Sequence, residues 1–224
     1  REESFNPFTK LLRKGVEAGE ITEQDGKYVQ VFYHETLGED VLWFNCPESG
    51  HIRDAVSARS QTEMVLYSRE AAVRLVRLLQ KRFPGFEHCS IQAFSEMPGI
   101  RESRRIQGDF VLGEQHATRR ARFADGIAQT AYPIDIHSGD QLVLEAIKPE
   151  DYYEIPYRCL LPKGIENLLV AGRCVSATFA VQASLRIQLT CMAMGEAAGI
   201  AAAMSETPAD VDGTSDDYSL LIPP

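Results

Sequence analysis

The sequence predicts an α+β fold, and three observations carry that prediction. Two stretches, 8–16 and 72–83, repeat apolar residues at helical spacing. Between and after them lie short extended runs bounded by turn-forming residues. The last third closes on one strand–glycine–helix passage, without the remainder of a parallel sheet.

The elements follow in order. Asn6-Pro7 opens the first helix with a cap residue and a proline at its first position, where the missing N–H costs nothing. Phe8, Leu11, Leu12 and Val16 then recur until Gly19. The runs YVQVFYH (28–34) and VLWFN (41–45) read as two strands joined by the turn-prone ETLGED. A second amphipathic helix is capped by Ser68, carries the stripe Ala72, Leu75, Val76, Leu79 and Phe83, and stops at Pro84-Gly85. Strands are expected at 89–96, 108–113 and 141–147, while 119–137 mixes helical and extended signals. NLLVAGR (167–173) reads as a short buried strand, followed by a final helix over 184–205. Gly195 and Gly199, four apart in that helix, suggest a close approach to a sheet. From Glu206 the chain is acidic and poor in apolar residues, the composition of a loose tail.

At 224 residues the chain suffices for one large domain or two small ones. A formal charge of −9 argues against nucleic acid or an anionic membrane surface as the main partner. The weakly polar run 191–204 is interrupted by Glu196 and is too short for a bilayer, and no signal peptide is visible. The five cysteines are scattered and odd in number, which suits reduced thiols in a cytoplasmic protein, and no metal-ligand spacing occurs. The chain begins Arg-Glu-Glu-Ser and its first methionine is Met64, so it reads as a piece of something longer.

Three groups of residues stand out as chemistry. Arg173 sits at the turn before the last helix, whose N-terminal N–H groups favour anions by about 0.3–2 kcal/mol. The same pattern also describes a plain buried strand and a packed Ala-rich helix. Arg101, Arg104 and Arg105 surround Glu102 and either clamp a carboxylate or phosphate or form surface ion pairs. Asp135 and His137 alternate with Ile134 and Ile136, so on a strand they share a face. That pairing suits a proton-transfer histidine or a structural one. GxSxG, HExxH and P-loop motifs are absent, which disfavours nucleophilic hydrolases and metalloenzymes.

Taken together, GIRESRRIQGDFVLG (99–113), DGIAQTAYPIDIH (125–137), IPYRCLLP (155–162), NLLVAGRCVSAT (167–178) and ASLRIQLTCMAMGEAAGIAAA (183–203) resemble the FAD-dependent oxidoreductases of the glutathione-reductase-like superfamily, a bacterial group among them in particular. The resemblance implies a fragment of an α/β superfamily. Residues 1–155 would be a substrate or cap region with a mixed or antiparallel sheet, 156–205 the C-terminal strand–helix of an FAD-binding domain, and 206–224 a tail. It also implies a hydride passed between a small-molecule substrate and flavin. Gly172 and Arg173 would approach the pyrophosphate and ribityl chain, and Thr190, Cys191 and Met192 the ring. His137, Arg101 and Arg186 would serve substrate binding or proton transfer. The sixteen glycines include no GxG pair, so the nucleotide-binding GxGxxG unit is not in this sequence and weak or no FAD binding is expected of the chain alone. Phe179 and Leu189 stand where relatives often carry histidine and proline. A non-catalytic binding module with a vestigial flavin site is the alternative.

Overall fold

The computed structural model describes residues 7–33, 38, 40–49, 52, 54–136 and 151–204. Two compact units divide at Ile100 and Arg101. One continuous core in the second unit holds Leu112, Ile127, Tyr153, Ile155, Val175, Val181 and Met194.

In the first unit, helix α1 (Pro7–Glu17) is followed by the short α2 (Glu23–Gly26), strands β1 (Gln30–Tyr33) and β2 (Leu42–Asn45), and the long α3 (Ala58–Arg82). The helical repeat of α1 buries Phe8, Leu11 and Leu12 together with Leu75, Leu78 and Leu79 of α3. A Cβ on Gly15 would meet Leu78 Cδ2 at 2.7 Å, so a glycine is what lets α1 approach α3 this closely. The expected hairpin forms, antiparallel, with Phe32 opposite Trp43.

α3 begins a full ten residues before the expected cap. Ser57, not Ser68, is the N-cap: its side chain accepts from the Ser60 N–H, and Asp54 Oδ1 accepts from the N–H groups of Val56 and Ser57. The added turns carry mostly polar residues, which is why periodicity missed them; Met64 alone among residues 58–70 is fully buried.

α2 and α3 are joined by a buried carboxylate. Asp25, 0% exposed, accepts from Arg74 Nε and Nη2 at 2.9 Å each, Tyr67 Oη at 3.0 Å and the Thr22 N–H at 2.9 Å. Beyond α3, the strand expected at 89–96 is absent. That segment lies mostly exposed and finds no ladder partner among the described residues, and unpaired backbone does not make a sheet.

The second unit contains α4 (Glu114–Thr118), β3 (Gly126–Thr130), β4 (Tyr153–Pro156), a 3-10 turn at Tyr157–Cys159, α5 (Phe179–Leu185) and α6 (Gln188–Met204). β3 and β4 pair antiparallel with an irregularity between Gly126 and Ala128, and α6 packs on β3. The ambiguous segment 119–137 thus supplies β3, and 141–147 lies outside the described residues.

Two further corrections concern strands. Residues 108–113 make only isolated bridges, Gly108 to Pro162 and Leu112 to Ala177. Backbone bonds lace three irregular segments instead: Ile106 N–H to Cys174 O, Asp109 N–H to Leu161 O, Lys163 N–H to Gln107 O and Leu112 N–H to Ser176 O. NLLVAGR likewise is not a strand and is only partly buried; the Val170 N–H donates to Leu160 O without a sheet beside it.

The single terminal helix expected over 184–205 is two helices bent by 91° around Arg186 and Ile187. No single helix among the described residues is long and apolar enough to cross a membrane. Gly195 and Gly199 face outward with nothing near their Cβ positions. Thr190, Met194, Ala197 and Ala201 form the buried face instead. The glycines therefore do not mediate the approach to β3; the small alanines and Met194 do.

Candidate functional site

The bend between α5 and α6 builds a cleft of about 370 Å³ in the second unit. It is lined by Arg101, Tyr132, Asp135, Arg173, Arg186, Ile187, Gln188 and Leu189. Three guanidinium groups face one carboxylate there, so the lining carries a formal excess of two positive charges in a chain of net charge −9.

Each charged residue is positioned from a different element. Arg186 caps the C-terminus of α5, its N–H bonding to Gln182 O, and its side chain is only 11% exposed. Its Nη2 donates to the backbone oxygen of Asp135 at 2.6 Å and lies 3.5 Å from Asp135 Oδ2. Burial, with the like charge of Arg101, lowers the Arg186 pKa, and Asp135 opposes that shift. Arg101 is 45% exposed, with Nη1 at 3.6 Å from Asp135 Oδ2, an ion pair too long for a hydrogen bond. Arg173 follows Gly172, whose φ of +91° is the left-handed conformation that glycine adopts without strain.

Gln182 ties these pieces together. It is fully buried in α5, and its Nε2 donates to the backbone oxygens of Arg101 (3.2 Å) and Arg173 (3.1 Å). Both N–H donors are therefore spent on the two arginine-bearing loops. Its Oε1 has no hydrogen-bond partner among the described residues, and neither has Thr178 Oγ1 one turn earlier.

Segment 131–136 is anchored by a relay. Tyr153 Oη donates to Ser184 Oγ at 2.7 Å, and Ser184 Oγ donates to the backbone oxygen of Tyr132 at 2.6 Å. Burial pushes the Tyr153 hydroxyl up to about 12, so it stays a donor throughout the physiological range. Ser184→Ala is expected to cost about 2 kcal/mol, because it leaves a buried hydroxyl and a carbonyl unpaired. Tyr153→Phe is expected to cost less, since Ser184 keeps its bond to Tyr132. Denaturant midpoints of the two variants check the order, and a larger loss for Tyr153→Phe would refute the relay.

The N-terminus of α6 opens on the same cleft through Ile187, Gln188 and Leu189. The first intrahelical bond runs from the Cys191 N–H to Ile187 O, leaving the N–H groups of Gln188, Leu189 and Thr190 ahead of it. Backbone donors and the positive end of the helix dipole thus join the arginines, an arrangement that favours a bound anion.

Of the residues singled out in the sequence, Arg101, Arg173 and Arg186 come together here and Gly172 shapes the adjoining turn. Thr190, Cys191 and Met192 lie in the first two turns of α6 but do not line the cleft. Thr190 is buried, Met192 is 69% exposed, and Cys191 Sγ sits 3.6 Å from Leu185 O with its pKa raised by burial. His137 lies outside the described residues, and Asp135 engages Arg101 and Arg186. Of the two readings of the Arg101–Arg104–Arg105 cluster, ion pairing is what Arg105 does, with Glu102 as its partner, and Arg104 is exposed. Sequence reasoning missed Gln182, although a lone amide in the apolar run FAVQASL was a signal of a buried polar task.

Among the described residues no cluster of His, Cys, Asp and Glu is suited to a metal ion. Comparison with protein families matches residues 3–214 to a family described as FAD dependent oxidoreductase. No curated protein and no solved structure matches the chain.

Proposed function

The chain belongs to the FAD dependent oxidoreductase family, and on that premise we propose that it is the substrate-side and C-terminal part of a glutathione-reductase-like flavoenzyme whose nucleotide-binding unit lies outside this sequence. Bound FAD supplies the hydride-transferring centre of such an enzyme. Within this reading residues 1–155 are the substrate side, 156–205 the returning segment of the flavin domain and 206–224 a tail.

One observation carries the proposal: the 91° bend turns the N-terminus of α6 toward a cleft that already holds three arginines. A cofactor with anionic phosphates and a polar ring edge matches that donor set. Arg173 and the Gly172 turn would hold phosphate, and the N–H groups of Gln188 and Leu189 would meet the ring's polar edge. Gln182 Oε1 offers a buried acceptor in want of a donor. NLLVAGR supports the reading too, since an apolar run with no sheet to join is what a returning strand becomes without its neighbours.

The test compares this 224-residue chain with the encoded product that includes residues upstream of Arg1. The longer product is expected to purify yellow with stoichiometric FAD, and Arg173→Gln to weaken that binding about tenfold. The chain alone is expected to retain little or no flavin. A longer product that stays colourless when FAD is added overturns the proposal and favours a binding module.

A further inference from the structure

We propose that the Arg101 side of the cleft is a carboxylate subsite, and that the substrate is a small organic acid. This rests on the flavin reading only for the reaction the acid enters; the subsite itself stands on the geometry of the second unit.

The three arginines are not equivalent. Arg186 is mostly buried and committed to Asp135, through the backbone oxygen at 2.6 Å and the carboxylate at 3.5 Å. Arg101 is the reverse, half exposed and 3.6 Å from the same carboxylate. Its guanidinium keeps a planar edge for a two-point contact, and a carboxylate is the planar anion that matches a guanidinium fork. Asp135 then acts as a resident counter-ion. It holds Arg186 in place and leaves Arg101 close to, but not saturated by, negative charge.

The backbone beneath Arg101 is fixed in advance. Gln182 Nε2 holds the Arg101 carbonyl from the buried face of α5, so the loop does not have to order itself when an anion arrives. The remaining walls distinguish an organic acid from an inorganic anion. Tyr132, Ile187 and Leu189 contribute apolar surface beside the cations, which would lie against a carbon skeleton. The volume, about 370 Å³, is in the range of metabolite sites. An excess of positive charge in an otherwise acidic chain also concentrates anions at this point on the surface.

Titration calorimetry of the 224-residue chain with succinate, at low ionic strength, tests the proposal. Saturable binding is expected, weakened about tenfold or more by Arg101→Gln, less by Arg101→Lys, and suppressed by high salt. Arg104→Gln, in the same loop but outside the cleft lining, is expected to leave binding unchanged. Unchanged unfolding midpoints for the Arg101 variants would show that the loss is one of recognition. Succinate binding that is absent, or insensitive to Arg101→Gln, overturns the subsite. Inorganic pyrophosphate binding more tightly than succinate, with the same dependence on Arg101, also overturns it by assigning this side to cofactor phosphate. Failure of the flavin reading shows separately, as a colourless longer product whose succinate binding persists.

Discussion

Asp25→Ala is expected to destabilise the first unit by about 3 kcal/mol, the largest loss predicted for any single side chain there. The carboxylate is 0% exposed and accepts four hydrogen bonds, two of them from Arg74. Removing it leaves the Arg74 guanidinium, the Tyr67 hydroxyl and the Thr22 N–H without their acceptor at the junction of α2 and α3. Asp25→Asn keeps the shape and part of the acceptor capacity, and is expected to lose less. Denaturant unfolding followed by circular dichroism at neutral pH measures both; an alanine variant within half a kcal/mol or so of the parent would refute the assignment.

The same carboxylate gives the unit an acid limit. Burial on its own would raise the Asp25 pKa, but the bonds from Arg74, Thr22 and Tyr67 outweigh it and hold the group at about 2, against 3.8 for a free aspartate. A group depressed on folding contributes stability that is fully present above its unfolded value. That contribution, on the order of 2 kcal/mol, is lost as pH falls from about 4 toward about 2. In the Asp25→Asn variant this part of the acid sensitivity is expected to vanish.

Gly108→Ala is the second large effect, expected to cost about 3 kcal/mol in the second unit. Its new Cβ would stand 2.8 Å from Ser176 Cβ and 3.0 Å from the Leu161 backbone oxygen. Neither neighbour is a flexible side-chain end. Ser176 is buried and its Oγ accepts from the Gly108 N–H at 2.9 Å, while the Leu161 oxygen accepts from Asp109. The methyl group must therefore push apart segments 106–112, 159–163 and 174–178, the lacing that carries the Arg173 turn. Thermal unfolding checks the cost, and a variant as stable as the parent would show that the lacing can slide.

How much of this was legible in the sequence differs from element to element. α1 and the second half of α3 follow from their own apolar repeat, and the hairpin from two extended runs around a turn, wherever in the chain their packing partners lie. The first half of α3 was hidden by polar residues that rest on the cap at Ser57 rather than on burial. The strands expected at 89–96, 108–113 and 167–173 were misread for one reason: apolar alternation makes a strand only when another strand supplies the ladder. At the site, the sequence identified Arg101, Arg173 and Arg186 as candidates from charge and from resemblance. Charge pattern alone did not separate Arg101 from Arg104 and Arg105, and only the resemblance singled it out, because cleft membership is decided by contacts with residues 132–135 and 186, far along the chain. Gln182 was missed because its two acceptors are backbone oxygens, which no side-chain pattern reports.

The corner between α5 and α6 has an energetic meaning of its own. Phe179 to Met204 is a sequence of mostly small, apolar, helix-compatible residues, and a continuous helix would close a backbone bond at every residue beyond its first turn. By bending at Arg186 and Ile187 the chain forgoes about three of these bonds, each contributing on the order of 1 kcal/mol. Robustness and cleft formation are in direct competition at this corner. A sequence change that let the helix run straight would produce a sturdier protein with nowhere for an anion to sit.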